Sequence, residues 1–191
     1  MQVPNWKMQM PMWITMSRVV VVPFLILLMI PQHWAYHLAA GILFILASIS
    51  DYYDGYFARK FNAVSTMGKL MDPVADKILV SSILIFLIPS GRIDPYLVIV
   101  LLGRDTIIAG IRAVAAAENL IIDAKAAGKW KTGLQMTGIP MVIIGNPFGV
   151  AVVGNEIPII KIGYFLLWVS VTLSLWSGYQ YIQLYKEVRR T

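Results

Sequence analysis

Six long apolar runs dominate the sequence and restrict the folds that are open to it. Each run is about twenty residues long, the length that an α-helix needs to cross roughly 30 Å of hydrocarbon. The 191-residue chain is 58% hydrophobic and 14% charged, whereas soluble domains are roughly a quarter charged. We therefore predict an all-α polytopic membrane protein in which residues 1–191 form a single transmembrane domain.

The predicted spans are separated by short polar or proline-containing connections. They run from Trp13 to Ile30, Trp34 to Phe57, Asp72 to Ile88, Pro95 to Ala117, Trp130 to Val153 and Ile157 to Tyr181, with Asn146-Pro147 interrupting the fifth. Residues 1–12 are too few to span and predict a segment that lies on the membrane surface. The sequence has no cysteine, which excludes disulfides and thiolate metal sites.

Basic residues are distributed unevenly between the two sides of the predicted membrane. One side carries Lys7, Arg59, Lys60, Lys69, Lys125, Lys129, Lys131, Lys186, Arg189 and Arg190, and the other carries Arg92 and Lys161. Because short cytoplasmic loops are enriched in Lys and Arg, both termini and residues 50–77 are predicted to face the cytoplasm from the inner membrane. Anionic lipid headgroups then account for the net charge of +6, and no nucleic-acid partner is expected.

Two pairs of aspartates lie where the second span ends and the third begins. Asp51 and Asp54 are three residues apart and Asp72 and Asp76 four apart, so each pair shares one helix face. Consecutive spans are antiparallel neighbours, which places both pairs at one depth. Carboxylates there are costly unless they are protonated or bind a cation. Oxygen ligands without His or Cys suit Mg²⁺, Mn²⁺ or Ca²⁺, and four carboxylates are enough for two ions.

Small and basic residues accompany the aspartates. The small ones are Gly55, Ala58 and Gly68, and the basic ones are Arg59, Lys60 and Lys69. A low helix surface beside metal-binding carboxylates and positive charge predicts a polyphosphate site. The alternative is that the aspartates cap helices or pair with Lys77 and Arg59. His33 and His37 are expected at the opposite interface rather than at a metal.

The residues from Asp51 to Asp76 follow the pattern Asp-x2-Asp-Gly-x2-Ala-Arg-x8-Gly-x3-Asp-x3-Asp. This pattern resembles the signature of the CDP-alcohol phosphotransferases. The resemblance implies six transmembrane helices, cytoplasmic termini and a homodimer. It also implies transfer of a phosphoalcohol group from a CDP-linked donor to an alcohol, with release of CMP and with divalent metal, expected as two Mg²⁺ or Mn²⁺ ions.

The resemblance also implies roles for individual residues. Metal ligands would be Asp51, Asp54, Asp72 and Asp76, and Asp76 would also be the general base. Donor-binding residues would be Gly55, Ala58, Arg59 and Gly68, together with Thr15 and Arg18 of a Thr-x2-Arg start in the first span.

Residues 103–116 and 128–136 resemble the members of this family that make phosphatidylglycerophosphate from CDP-diacylglycerol and sn-glycerol 3-phosphate. Two departures stand out. Those members often have Pro-Asn where this chain has Pro11-Met12, and commonly Gly-Arg-Glu where it has Gly103-Arg104-Asp105.

Four basic residues are candidates for binding the phosphate of the acceptor. Arg104 and Arg112 lie eight residues apart on roughly one face of the fourth span, and Lys129 and Lys131 open the fifth. Cations within a membrane helix are costly and usually meet a partner or a cavity. The alternatives are that the lysines only set topology and that Arg104 pairs with Asp105 from a neighbour or with one of the four signature aspartates.

Other functions stay open on the sequence alone. The acceptor could instead be serine, inositol phosphate or phosphatidylglycerol. A cation transporter would need polar residues along a path across the bilayer, whereas the four aspartates cluster at one side. A structural membrane protein would have no need of the aspartates.

Overall fold

A computed structural model describes the backbone of residues 19–60, 66–118, 126–145, 149–152 and 155–189 and the side chains of 19–50, 77–118, 130–145 and 157–189. The elements are α1 (Val19–Met29), α2 (Trp34–Lys60), α3 (Thr66–Leu87), α4 (Pro95–Ala117), α5 (Ala126–Ile144), β1 (Gly149–Val152), β2 (Asn155–Pro158) and α6 (Ile159–Val188). The described chain is predominantly helical, in agreement with the predicted class.

A short β-hairpin is the departure from the all-α prediction. Strand β1 pairs antiparallel with β2, with Gly149 opposite Pro158 and Val152 opposite Asn155. The predicted fifth span, which ran to Val153, is therefore too long, because α5 ends at Ile144. Gly145 adopts a left-handed φ of 62° and donates its N–H to the Met141 carbonyl at 3.1 Å, which is a common glycine C-terminal cap.

Several other helices also differ from their predicted bounds; α2, for example, ends at Lys60 rather than at Phe57. Helix α3 begins at Thr66, six residues before the predicted start at Asp72, so Asp72 lies in its second turn rather than its first. Helix α6 continues to Val188 beyond the predicted end at Tyr181. Helix α4 matches its predicted bounds because Pro95 opens it and the Asp94 side chain accepts a hydrogen bond from the Tyr96 N–H.

The buried face of α6 follows a heptad pattern. Its seam residues are Gly163, Leu167, Ser170, Ser174, Ser177 and Tyr181, which alternate spacings of four and three along the helix. Helix α5 packs antiparallel against this seam. A Cβ on Gly163 would lie 2.8 Å from the Gly138 carbonyl oxygen, and the Ser170 hydroxyl donates to the Lys131 carbonyl at 3.3 Å. Small residues therefore bring these two helices into backbone contact.

Helices α4 and α2 complete the packing around this pair. Helix α4 runs parallel to α6, since Arg104 contacts Ser174 and Arg112 contacts Tyr181 further along both helices. Helix α2 meets the end of α5, where a Cβ on Gly41 would lie 2.5 Å from Ile144 Cγ1. An apolar core joins these helices to α1 and α3; its fully buried members include Leu25, Phe44, Ile83, Leu84, Leu97, Ile143 and Leu167.

Among the described residues, α6 is the one helix long and apolar enough to cross a membrane by length and composition. Shorter apolar helical segments are Val19–Met29, Trp34–Ser50 and Lys77–Leu87. In α4 the apolar run is broken by Arg104, Asp105 and Arg112. The count of six spans therefore stays a prediction.

Candidate active site

The signature aspartates lie on two helices whose backbones are continuous through them. Asp51 and Asp54 belong to the C-terminal part of α2, and Asp72 and Asp76 to the second and third turns of α3. Both pairs thus have the helical spacing that puts their members on one face. The side chains of residues 51–76 lie outside the described residues, so their predicted metal and donor roles stay predictions.

Several other predicted site residues have the same status. Gly55, Ala58 and Arg59 lie on α2 and Gly68 on α3, without described side chains. Thr15 and Arg18 are outside the described residues, as is the side chain of Lys129. Within the part of the chain whose side chains are described, no group of three or more His, Cys, Asp or Glu residues could hold a metal ion.

Two of the predicted acceptor-binding residues converge on one carboxylate, Asp105. The Lys131 ammonium donates to Asp105 Oδ1, and Arg104 Nη1 donates to the same oxygen at 3.1 Å. Arg104 also donates from Nε to the Ser174 carbonyl at 2.8 Å and from Nη2 to the Ser177 hydroxyl at 2.6 Å. These five residues, which we call the Asp105 cluster, tie α4 to α5 and α6.

The Asp105 cluster is largely removed from solvent. Lys131 is 7% exposed and Ser174 1% exposed, and the side chain of Asp105 is 23% exposed. A buried cation without a counter-charge is strongly unfavourable, so Asp105 is needed to stabilise Arg104 and Lys131. Because two cations share this one carboxylate, the cluster has a net positive charge where α4, α5 and α6 meet. Arg104 is held against α6, which agrees with the alternative that it pairs with an aspartate.

Arg112 is in a different environment from Arg104. It lies eight residues further along α4, about 12 Å by helix rise, and its side chain is exposed. Its guanidinium carbon is 5.3 Å from the centre of the Tyr181 ring, a cation–π distance. The ring supports the guanidinium from one side without neutralising it, so Arg112 keeps its hydrogen-bonding capacity for an anion.

Two buried polar atoms have no hydrogen-bond partner among the described residues. They are Nε2 of Gln135 and Oγ of Ser174. Gln135 is 4% exposed and follows Lys131 by one turn of α5. A buried amide without a hydrogen bond costs about 1–3 kcal/mol. The Gln135 amide is therefore free to donate to a water molecule or a ligand near Lys131.

A second set of polar contacts lies near the start of α2, at the end of that helix opposite Asp51 and Asp54. Arg92 donates from Nη1 to the Ile143 carbonyl at 2.6 Å, and its Nη2 is 2.8 Å from Nδ1 of His37. Burial lowers the pKa of the Arg92 guanidinium from its ordinary value, although a guanidinium stays charged at neutral pH. His37 lies in the first turn of α2, at the end opposite Asp51 and Asp54, and its side chain is buried at 6% exposure; its place at a membrane interface stays a prediction.

Sequence reasoning missed the partners that α6 supplies. Ser170, Ser174, Ser177 and Tyr181 all lie on its buried seam, in a span for which the sequence suggested no motif. Their spacing of four, three and four residues is the signal that could have found them, because small polar residues at that period are typical of helix contacts in membranes. The sequence drew attention to Asp105 as a departure from a more common glutamate and as an alternative partner of Arg104, but not as a partner of Lys131.

Comparison with known proteins places these features in a family. The CDP-alcohol phosphatidyltransferase family matches residues 8–176 of the chain. The chain is 33% identical, over 91% of its own length and 95% of the relative's, to the CDP-diacylglycerol–glycerol-3-phosphate 3-phosphatidyltransferase of Rickettsia typhi. It is 34% identical to the Bacillus subtilis protein of that name, over 95% of the chain and 97% of the relative. A chloroplastic/mitochondrial protein of that name from Arabidopsis thaliana is 34% identical over 88% of the chain and 60% of the relative.

Proposed function

Because the chain belongs to the CDP-alcohol phosphatidyltransferase family, as its aspartate signature predicted, we propose that it transfers a phosphatidyl group from CDP-diacylglycerol to sn-glycerol 3-phosphate and releases CMP. The observation that carries the proposal is the complete signature on α2 and α3. Relatives that bear this activity in their names, and that align over nearly the whole chain, support the choice of substrates.

The four aspartates form a donor set suited to divalent metal. Members of the family generally use divalent metal ions, and carboxylate oxygens without His or Cys favour Mg²⁺ or Mn²⁺. The helical backbones around Asp51, Asp54, Asp72 and Asp76 fit such a role, since each pair falls on one face of a continuous helix. We assign two ions to these carboxylates; bound there, they would neutralise charge on the donor diphosphate.

The chain's own residues then provide the rest of the chemistry. Asp76 accepts the proton of the acceptor hydroxyl, whose oxygen forms a bond to the phosphorus that carries the diacylglycerol. The bond from that phosphorus to the CMP oxygen breaks, and CMP leaves with the electron pair. Gly55, Ala58 and Gly68 leave space for the nucleotide, and Arg59, with Thr15 and Arg18, holds the donor.

The acceptor phosphate is assigned to the exposed end of α4 and the start of α5. Arg112 is its main contact, since its guanidinium is exposed and supported by the Tyr181 ring. Lys129 and Lys131, near the start of α5, add positive charge to this region, although the Lys131 ammonium also donates to Asp105. Arg104, which contacts the phosphate in the sequence-based prediction, acts here through Asp105, because its donors are engaged with α6. Phosphate recognition by such cations favours glycerol 3-phosphate over serine.

The distribution of polar and apolar residues supports placement in a membrane. Buried polar side chains include Ser170, Ser174 and Ser177 on α6 and Lys131 and Gln135 on α5, whereas the outward faces carry large apolar side chains. Among these are Ile42, Leu46, Ile49, Tyr96, Ile99, Ile107, Phe165, Leu175 and Trp176. An apolar outer surface of this extent is costly in water and favourable in lipid.

The direction of the helices also fits six passes. Helices α4 and α6 are parallel and α5 is antiparallel to α6, as alternate crossings require. Six spans with cytoplasmic termini and a cytoplasmic active site, a single domain over residues 1–191 and a homodimer complete the proposal. The homodimer rests on the family resemblance.

A CMP-release assay on the purified full chain tests the activity. CDP-diacylglycerol is supplied with Mg²⁺ or Mn²⁺ and one acceptor at a time: glycerol 3-phosphate, serine, inositol phosphate or phosphatidylglycerol. We expect CMP with glycerol 3-phosphate alone, and its loss on chelation with EDTA. Release with serine in preference to glycerol 3-phosphate would refute the acceptor assignment, and no release with any acceptor would refute the proposed activity.

A further inference from the structure

A cavity opens at the end of the protein where α4 and α6 begin. It has a volume of about 450 Å³ and is lined by Gly91, Arg92, Ile93, Asp94, Ile160, Lys161 and Tyr164. The α3–α4 connection forms one wall and the first turns of α6 form the other. None of these residues belongs to the aspartate signature or to the Asp105 cluster.

This cavity lies far from the proposed active site. Arg92 contacts His37 near the start of α2, and Asp51 lies fourteen residues further along the same continuous helix. At 1.5 Å per residue the separation along α2 is about 21 Å. In the proposed topology, the cavity therefore opens to the leaflet opposite the one that supplies the donor.

The cavity wall carries a basic pair of side chains with different roles. Arg92 is half-buried and anchored by the Ile143 carbonyl and His37, which hold its guanidinium in place while engaging only part of its donors. Lys161 is exposed and, among the described residues, forms no ion pair. A fixed guanidinium that lines the same cavity as an exposed ammonium provides charged donors suited to a phosphate group.

Asp94 is the acidic group in the wall, and its carboxylate has another role. Its Oδ1 accepts the Tyr96 backbone N–H at 3.0 Å and so caps α4. The parallel helices α4 and α6 both begin at this cavity, and their N-terminal ends add partial positive charge to that of the basic pair. Among the described residues that line the cavity, positive charge therefore exceeds the negative charge of Asp94.

The surroundings of the cavity distinguish a lipid from a soluble phosphate. Exposed apolar side chains continue from it along both helices: Tyr96 and Ile99 on α4, at 75% and 64% exposure, and Phe165 and Trp168 on α6, at 66% and 39%. A ligand with its phosphate between Arg92 and Lys161 would place attached acyl chains against these faces. Basic pockets between membrane helices on the cytoplasmic side bind anionic lipid headgroups, and the same charge-assisted contacts are available in this cavity.

We propose that this cavity binds the phosphate headgroup of an anionic phospholipid from the leaflet opposite the active site. The site takes the lipid as a bound ligand and not as a substrate, because it is separate from the aspartates. This inference rests on the membrane placement proposed above and is independent of the identity of the acceptor.

Lipid binding to the purified full chain tests the inference, measured by native mass spectrometry with phosphatidylglycerol or phosphatidylcholine of the same acyl chains. The wild type is compared with Lys161→Glu, Lys161→Gln and Lys161→Arg. Lys186→Glu is the matched control, since it removes an exposed lysine at the other end of the same helix. Arg92 is left unchanged because it anchors α5.

We expect the wild type, Lys161→Arg and Lys186→Glu to prefer phosphatidylglycerol. Loss of a charge-assisted contact should weaken that lipid about tenfold or more in Lys161→Glu and Lys161→Gln. Equal binding of the two lipids by the wild type, or an unchanged affinity for phosphatidylglycerol in both Lys161→Glu and Lys161→Gln, would overturn the inference. Displacement of the lipid by millimolar inorganic phosphate would also overturn it, since the site would then bind free phosphate.

CMP release is measured on the same samples to separate this inference from the proposed function. We expect Lys161→Glu to keep the wild-type rate. Normal CMP release without a lipid preference would overturn the inferred lipid site and leave the proposed enzymatic function in place. A lipid preference without CMP release would support the cavity and count against the proposed enzymatic function.

Discussion

The close approach of α5 and α6 at Gly163 allows a quantitative prediction of the effect of a larger residue there. A Cβ added there would lie 2.7 Å from Met141 Cβ, 2.8 Å from the Gly138 carbonyl oxygen and 3.0 Å from Val142 Cγ2. Carbon atoms in favourable contact are about 3.5–4.0 Å apart. Because two of these neighbours are a backbone atom and a Cβ, no side-chain rotation relieves the contact, and the helices would have to separate.

The expected cost of Gly163→Ala follows from two opposing effects. Overpacking of a tight contact typically costs about 1–3 kcal/mol, whereas alanine in a helix interior is favoured over glycine by about 1 kcal/mol. Gly110→Ala on α4 is the matched control, since a Cβ there would meet nothing within 4 Å. It gains the helix propensity without the clash, so the difference between the two variants isolates the clash at about 1–3 kcal/mol.

Thermal unfolding of the two purified variants at one heating rate measures this difference. For a chain of this size, 1 kcal/mol corresponds to roughly 2–4 °C. We therefore expect Gly163→Ala to unfold about 2–12 °C below Gly110→Ala, with Gly110→Ala at or slightly above the wild type. Equal midpoints for the two variants would refute the close α5–α6 approach at this position.

Three further predictions concern the proposed site. Asp105→Asn removes the anion shared by two cations and should destabilise the protein by about 2–4 kcal/mol, measured by unfolding, whereas Asp105→Glu should retain most of the stability; a stable Asn variant would contradict the shared ion pair. Arg112→Ala should raise the KM for glycerol 3-phosphate about tenfold or more with the KM for CDP-diacylglycerol unchanged; an unaltered acceptor KM would remove Arg112 from the site. Asp76→Asn should lower kcat at least about a hundredfold in the CMP-release assay while CDP-diacylglycerol still binds, and near-normal turnover would exclude Asp76 as the base.

Local patterns predicted much of the helical structure. The predicted and observed bounds of α4 coincide because the signals that start it, Pro95 and the Asp94 cap, are adjacent in the chain. The family was predicted from the aspartate signature and confirmed by the match over residues 8–176. The end of α5 was not predicted, because Gly145 and the Arg92 contact with Ile143 compete with an apolar run that continues past them.

The partners of charged residues could not be predicted from the same patterns. Arg104 was a candidate for phosphate binding, but its guanidinium meets Ser174 and Ser177, which are about seventy residues away in the chain. His37 is buried because the α3–α4 connection brings Arg92 to it. Which donor meets which acceptor depends on the packing of helices, which nearby residues do not encode.

The sequence alone therefore determined the family, the helical class and the helical spacing within each aspartate pair, because these depend on residues within a few turns of one another. The tertiary structure decided that Lys131 and Arg104 share Asp105 and that α6 supplies a polar seam. It also decided that Arg92 and Lys161 line a common cavity. These arrangements join residues from separate helices. They form only when the helices pack together, because the free energy of burying charged groups and of close contact between helices depends on residues that are distant in the chain.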